Sequence, residues 1–385
     1  MIKIFPPLTA TMCTYSFIAY AYPNGTDETD MKDRLNKLLN YEPIGLPKQE
    51  LLWAAVTDVI MTEGAAAAAD TSTDSNVALV YVCREAGSAD YTVVVRGTNP
   101  FSWPSWKLED LDAGSKVAWQ SEFDPSADCG SISQATGTAL ATHLALNDGD
   151  QNLFDYLDSQ LPFIKSLNFT GHSLGGCVSP VLALKYKEHL ESNDFARPAL
   201  SLYSYAGPSP GDAVFAKYMK KSFRDFAVVS FLRDKKDIVP HIWNLKNMSV
   251  IGQLYDLCPA TSTVLSMLKF FNKRVENMDY KHAFPGFQPL ILEELIIRIF
   301  GLDALEAAID NDNLKPLIAA VTADLARNGI KVDDRDGGEC GKTILWFLFA
   351  ICMHVAPYLI LCSGEAQEEL LEKVIKPEYF QGILG

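Results

Sequence analysis

Positive charge is scarce in this sequence. Lys and Arg number 33 against 48 Asp and Glu, which gives a formal net charge of −15 over 385 residues. A nucleic-acid-binding surface needs concentrated Lys and Arg, so this balance argues against a nucleic-acid partner. It also disfavours electrostatic docking on an anionic lipid surface, so any approach to a membrane would have to be mainly hydrophobic.

The sequence also lacks the cysteine spacing of a metal site. Its eight cysteines include no C-x-x-C pair, so neither a zinc signature nor a dense disulfide framework is expected. We expect no metal and no cofactor. Hydrophobic residues at 48% and charged residues at 21% are typical of a folded globular protein.

A clear secretory signal is missing at the N-terminus. Pro6 and Pro7 interrupt what would have to be a continuous apolar segment. Residues 8–22 are therefore predicted to form a helix packed on the domain. A cytoplasmic or non-classically secreted protein is favoured over one with a cleaved signal.

The first two thirds of the chain alternate strand-like and helix-like segments. Strands are predicted at 78–84, 91–96, 166–170, 200–205 and 226–232, and helices at 131–146, 152–161 and 174–191. This alternation indicates an α/β fold, with a mostly parallel central sheet and helices on both faces.

The pattern changes to helices and apolar stretches after about residue 253. We expect residues 1–285 to form the main domain, and residues 286–385 to form a helical, apolar C-terminal region that packs on it or caps it. Residues 343–362 carry no Asp, Glu, Lys or Arg, although His354 and Pro357 interrupt the apolar run. A buried helix is the favoured interpretation. A membrane anchor and an apolar flap over a substrate pocket are the alternatives.

A glycine-flanked serine is the strongest chemical signal. The sequence G-H-S-L-G-G covers residues 171–176, directly after a predicted strand and before a predicted helix. Such a turn exposes the Ser173 hydroxyl as a nucleophile, while Gly171 and Gly175 avoid clashes, with His172 inside the turn. The helix N-terminus directs the Leu174 amide at the developing oxyanion.

An acid and a histidine should follow this serine in the chain. Asp234 and Asp237 both lie just beyond the strand at 226–232. Asp237 is favoured, because Ile238, Val239 and Pro240 would fix its loop. Asp234 neighbours lysines and is expected to be solvated.

Three histidines come after these acids. His241 is only four residues from Asp237, and His354 lies in the apolar segment, where a core histidine is the usual explanation. His282 occupies a loop-like stretch and is predicted to be the general base. A second oxyanion donor is expected from the Thr98 amide after the strand at 91–96, although a plain strand end is the alternative.

Together these residues resemble the class 3 (fungal-type) lipases of the α/β-hydrolase superfamily. The resemblance rests on four blocks in the family's order, which frame residues 91–285: V-R-G-T at 95–98, T-G-H-S-L-G-G at 170–176, Y-A-G-P at 205–208 with Gly211 and Asp212, and D-I-V-P-H at 237–241. It implies a triad of Ser173, Asp237 and His282, with Thr98 and Leu174 in the oxyanion hole.

The resemblance also implies a lid over residues 99–108. Phe101, Trp103 and Trp106 would be costly to expose there unless they cover an apolar pocket or meet a lipid surface. Ordinary packing under a loop is the alternative.

The expected function is hydrolysis of carboxylic esters through an acyl-enzyme intermediate, with long-chain acyl glycerols as the first choice of substrate. A short-chain carboxylesterase and a phospholipase A are alternatives within this class. A non-catalytic lipid- or membrane-binding protein on the same scaffold is the alternative from another class. The expected partner is a lipid or ester, met at a lipid–water interface, and the sequence leaves the oligomeric state open.

Overall fold

A mixed β-sheet flanked by helices forms the framework of the chain. The computed structural model describes residues 7–21, 28–57, 78–97, 113–290, 338–359 and 361–362. The strands are β1 (Gln49–Thr57), β2 (Ala78–Glu85), β3 (Asp90–Val95), β4 (Lys116–Ala118), β5 (Ser131–Ser133), β6 (Asn147–Asp148), β7 (Gln151–Asn152), β8 (Ser166–His172), β9 (Ala199–Tyr205), β10 (Gly211–Asp212), β11 (Val228–Leu232) and β12 (Tyr280–Lys281).

Nine α-helices are present among the described residues. They are α1 (Pro7–Ile18), α2 (Glu28–Leu39), α3 (Gln134–Ala145), α4 (Leu153–Gln160), α5 (Leu174–Ser192), α6 (Ala213–Ser222), α7 (Leu245–Met248), α8 (Ser262–Val275) and α9 (Gly338–Leu359). A short 3-10 turn, Ala19–Ala21, extends α1.

The central sheet has the strand order β1-β2-β3-β8-β9-β11. Strands β1, β2 and β3 pair antiparallel, and a short turn joins β2 to β3. The remaining pairings, β3–β8, β8–β9 and β9–β11, are parallel. The predicted α/β class with a mostly parallel sheet is therefore confirmed, and it is the arrangement of the α/β-hydrolase fold.

The parallel strands end at one edge of this sheet. Val95 pairs with Gly171, and Tyr205 pairs with both His172 and Leu232. The loops that follow β3, β8, β9 and β11 therefore meet at this edge, which is where open α/β sheets bind ligands.

Apolar side chains on the two faces of the sheet enter separate clusters. Along β3, Val93 and Val95 point into one cluster and Val94 into the other, as the two-residue period of a strand requires. Helix α5 covers the first face, and helices α1 and α2 cover the second.

Helix α9 is buried within the fold. Val355 and Tyr358 join the cluster that includes α1, while Trp346 and Phe349 join a third cluster with α8. No helix in the described part of the chain combines the length and apolar character needed to cross a bilayer. Of the three interpretations of residues 343–362, the buried helix agrees with these contacts.

Several local expectations differ from the observed elements. The helix expected at 131–146 begins three residues late, because Ile132 pairs with Gly211 as part of β5. The Ser133 hydroxyl then accepts a hydrogen bond from the Thr136 amide at 3.0 Å and caps α3. Helix α2 and strand β1 were not predicted. Strand β1 lacks a regular alternation of buried and exposed residues.

Candidate active site

Ser173 occupies the turn between β8 and α5. Its backbone has φ 61° and ψ −127°, a strained conformation for a residue with a side chain. The Ser173 amide donates to the Tyr205 carbonyl at 3.0 Å, and the Cys177 amide donates to the Ser173 carbonyl at 3.1 Å. These bonds hold the strained residue between the sheet edge and the first turn of the helix.

The glycines around Ser173 are required by close backbone contacts. A Cβ on Gly171 would stand 2.3 Å from the Gly175 carbonyl oxygen, and one on Gly175 would stand 2.2 Å from that of Val95. These neighbours are backbone atoms of β3 and α5 and cannot rotate away. The turn therefore accepts only glycine at these two positions.

Asp237 lies in the loop after β11 and is fully buried. The Val239 amide donates to its Oδ1 at 3.0 Å, and the Tyr358 hydroxyl donates to its Oδ2 at 2.9 Å. Burial raises the pKa of the Asp237 carboxyl, while the Val239 and Tyr358 donors act to lower it.

The partner of this carboxylate is His354 of α9. Its Nδ1 lies 2.9 Å from Asp237 Oδ1 and 3.0 Å from Oδ2. Because the ring donates from Nδ1, a neutral imidazole keeps its lone pair on Nε2. Burial lowers the pKa of His354 to about 3, so the ring is neutral at neutral pH. Nε2 is buried without a hydrogen-bond partner in the described part of the chain. A nitrogen in this state can accept a proton, as a general base must.

His282 does not contact Asp237, which corrects the expectation from the sequence. Its Nε2 donates to the Pro240 carbonyl at 2.8 Å, and its Nδ1 has no hydrogen-bond partner among the described residues. The pairing of β12 with β10 fixes residues 280–281 and holds His282 at this carbonyl. Burial lowers the pKa of His282 well below its usual value, and the nearby positive charge of Arg233 lowers it further.

Asp234 is buried, so the expectation that it is solvated is wrong. Its Oδ1 accepts the Lys236 amide at 2.7 Å and its Oδ2 accepts the Leu290 amide at 2.5 Å. It therefore ties its own loop to the segment that follows β12. His241 is likewise engaged elsewhere, because its Nε2 lies 3.0 Å from the Lys235 carbonyl oxygen.

His354 was missed because it stands in an apolar sequence. One signal was available, since Tyr358 follows it by four residues and so lies on the same face of a helix. Both side chains reach the same Asp237 carboxylate. The spacing alone does not identify the carboxylate that His354 and Tyr358 contact.

The amide predicted to face the oxyanion lies at the start of α5. Leu174 is the first residue of this helix, so its amide stands at the helix N-terminus, where partial positive charge favours an anion. Thr98 and the lid residues Phe101, Trp103 and Trp106 lie outside the described residues. Gly97, directly before Thr98, is close to the serine, because a Cβ on Gly97 would stand 3.0 Å from the Ser173 Cβ.

His172, the other residue of the turn, is fully buried behind the serine. Its ring contacts both His354 and Tyr20. No group of three or more His, Cys, Asp or Glu side chains that could hold a metal ion occurs in the described residues. What the edge of the sheet does bring together is a strained serine, a helix N-terminus and a buried Asp–His pair, and this set suits acyl transfer through a serine.

The strand order and the serine turn place the protein among the α/β-hydrolases that use a serine nucleophile. The sequence model of the family described as Lipase (class 3) matches residues 92–247, from β3 into α7. This segment is therefore similar to the class 3 lipases, and the protein is a serine hydrolase of carboxylic esters. No curated protein matches the sequence significantly.

A solved lipase structure has a similar fold, and two others resemble part of the chain. The crystal structure of M37 lipase is 18% identical in sequence, with a TM-score of 0.69, and the match covers 98% of this chain and 100% of that one. A nonglycosylated LIP2 lipase of Yarrowia lipolytica is 16% identical, with a TM-score of 0.45 over 61% of this chain and 73% of that one. The lipase of Rhizopus microsporus var. chinensis is 16% identical, with a TM-score of 0.42 over 63% and 71%.

The packing at Gly175 predicts a large loss of stability from one methyl group. In Gly175→Ala the new Cβ would stand 2.2 Å from the Val95 carbonyl oxygen, so we expect the free energy of unfolding to fall by about 3 kcal/mol. Gly87→Ala is the control and should cost about 1 kcal/mol, since Gly87 has φ 78° but no atom lies within 4 Å of where its new Cβ would stand. Urea unfolding followed by circular dichroism measures both. Equal losses would contradict the steric explanation.

The two histidines predict opposite kinetic results. His354→Gln should lower kcat on p-nitrophenyl butyrate by on the order of 10³-fold, because it removes the imidazole beside Asp237. His282→Gln should keep most of kcat and lose about 1 kcal/mol of stability with its bond to Pro240. Steady-state kinetics on both folded variants tests this. A folded His282→Gln as inactive as His354→Gln would restore His282 as the base.

Proposed function

We propose that this protein hydrolyses long-chain acyl esters of glycerol, with Ser173 as nucleophile, His354 as general base and Asp237 as the orienting acid. The carrying observation is the buried Asp237–His354 pair, whose imidazole keeps Nε2 without a partner among the described residues. Because His354 contacts His172, which directly precedes Ser173, this nitrogen is the group best suited to take up the serine proton.

In the first half of the reaction, the Ser173 oxygen attacks the ester carbonyl carbon while its proton passes to His354 Nε2. Asp237 stabilises the imidazolium through Nδ1. The Leu174 amide and, by resemblance to the family, the Thr98 amide hydrogen-bond to the oxyanion, each donor contributing about 3 kcal/mol to the transition state. The tetrahedral intermediate then collapses. The bond to the alcohol oxygen breaks, and His354 returns the proton to this leaving group.

In the second half, water attacks the acyl carbon of the Ser173 ester. His354 accepts a proton from this water, and the second tetrahedral intermediate releases the fatty acid as the proton returns to the serine oxygen. Both halves of the reaction use only the serine, the Asp–His pair, the oxyanion donors and water.

Apolar surroundings support a long acyl chain as the substrate group. Leu174, next to the nucleophile, packs against the cluster that contains Phe349 and Met353 of α9. An acyl chain that covers such surface gains about 0.8 kcal/mol for each buried methylene. We also propose, from the sequence, that Phe101, Trp103 and Trp106 belong to a lid.

Ser173 is tested by covalent labelling. The protein should react with a fluorophosphonate probe, while Ser173→Ala should neither label nor hydrolyse p-nitrophenyl butyrate above background. Ser179→Ala is the matched control, because Ser179 is a fully buried serine two turns along the same helix. It should label like the parent protein. Labelling of folded Ser173→Ala at the same rate would disprove the assignment.

Chain-length dependence tests the substrate class. For p-nitrophenyl esters, kcat/KM should rise about fourfold with each methylene that becomes buried, which corresponds to about 0.8 kcal/mol. Leu174→Ala keeps the backbone amide but shortens the apolar wall, so its increase per methylene should be smaller. Activity on emulsified triacylglycerol should exceed activity on dissolved monomers. A kcat/KM that falls beyond the butyrate ester, without a gain at the emulsion interface, would identify a short-chain esterase.

A further inference from the structure

His172 connects the nucleophile turn to the helix that carries the base. Its Nε2 lies 3.1 Å from the backbone carbonyl oxygen of His354, and its Nδ1 lies 3.0 Å from the Tyr20 hydroxyl. The residue is fully buried. Both ring nitrogens are therefore engaged, one with α9 and the other with the 3-10 turn that extends α1.

These contacts fix the tautomer of His172. A carbonyl oxygen can only accept a hydrogen bond, so Nε2 must carry the proton that reaches His354. Burial and the neighbouring His354 hold the pKa of His172 well below its usual value, so the ring is neutral. Nδ1 is then an acceptor, and the Tyr20 hydroxyl can donate its proton to Nδ1 or to the His172 carbonyl oxygen, which lies 3.2 Å away.

The ring of His172 also packs directly against the base. Its centroid lies 4.6 Å from that of His354 with an interplanar angle of 36°, 5.2 Å from Tyr358 and 4.8 Å from Phe17. The imidazole thus fills the space between α1 and α9. His354 is held by His172 at two places, its backbone carbonyl and its ring.

Precise placement matters because His354 and Ser173 come from different elements. The serine position is fixed by the turn after β8, whereas the base position depends on how α9 docks against the sheet. Proton transfer needs Nε2 within hydrogen-bond reach of the serine oxygen, and a misplacement of about 1 Å can cost on the order of 10²-fold in rate. His172 is the residue that contacts His354 from inside the nucleophile turn.

We propose that His172 is a positioning residue, whose Nε2–H holds His354 in register with Ser173. This inference rests on the proposed role of His354 as the general base. His172 itself does not touch the ester.

Two substitutions at this position separate its hydrogen bond from its bulk. His172→Gln keeps a donor where Nε2 stands, and His172→Phe keeps a ring but no donor. We expect His172→Phe to lower kcat on p-nitrophenyl butyrate roughly 10- to 100-fold, with KM within about twofold of the parent value. His172→Gln should recover kcat to within about threefold of the parent.

The control is His143→Phe, which removes another buried imidazole. The His143 ring bonds only the Ala139 carbonyl of its own helix within the described residues, so kcat should stay within about twofold of the parent value. Thermal melting followed by circular dichroism verifies folding. If His172→Phe does not fold, His172→Asn takes its place, since its shorter amide reaches the position of Nδ1 but not of Nε2 and should be impaired where His172→Gln is not.

The outcomes distinguish this inference from the proposed function. An unchanged kcat in folded His172→Phe, or equal losses in the Gln and donor-lacking variants, would overturn the positioning role. If His354→Gln is inactive in the same assay, the base assignment survives that result. If His354→Gln keeps its activity, the base assignment itself fails, whatever His172 does.

Discussion

The hydrogen bond between Asp237 and His354 is the interaction on which the rest of the site depends. Both side chains are fully buried, and they lie 117 residues apart in the chain. An isolated carboxylate in such a place would lose several kcal/mol of hydration. The Val239 amide, the Tyr358 hydroxyl and the imidazole N–H compensate for this loss. The loop after β11 and helix α9 are thereby joined by several polar contacts inside an apolar core.

Ser173 is held by a second constraint, which combines close backbone contacts with two backbone hydrogen bonds. The backbone of Ser173 stores strain of about 1 to 3 kcal/mol, and the conformation persists because strand β3, strand β9 and helix α5 surround it with backbone contacts. Gly171, Gly175 and Gly176 let these elements approach where any Cβ would clash. Because Ser173 is held rigidly, its distance to the proposed base depends on the position of His354. That position depends in turn on how α9 packs against the sheet.

Local sequence predicted the parts of the site that local geometry determines. The serine turn could be located because its glycines, strand and helix lie within a few residues of each other, and Asp237 because its loop follows a strand of the parallel sheet. His354 could not be located this way, since its role depends on which helix packs against that loop. Its apolar neighbours predict a core helix, and a histidine in a core helix can have either a structural or a chemical role. Asp234 was misjudged from Lys235 and Lys236, although consecutive side chains in a turn point in different directions.

The apolar character of α9 therefore has two effects, one on the packing of the core and one on the protonation of His354. Trp346, Phe349 and Met353 bury the helix, and the same burial keeps the His354 ring neutral, which is the form that can accept a proton. The Cys13 thiol of α1 donates to the carbonyl of Tyr358 at 3.3 Å, one turn beyond the base. A helix from the N-terminal end of the chain thus supports the C-terminal helix directly behind His354. The position of the base is consequently a property of the whole fold, since it depends on packing between the two ends of the sequence.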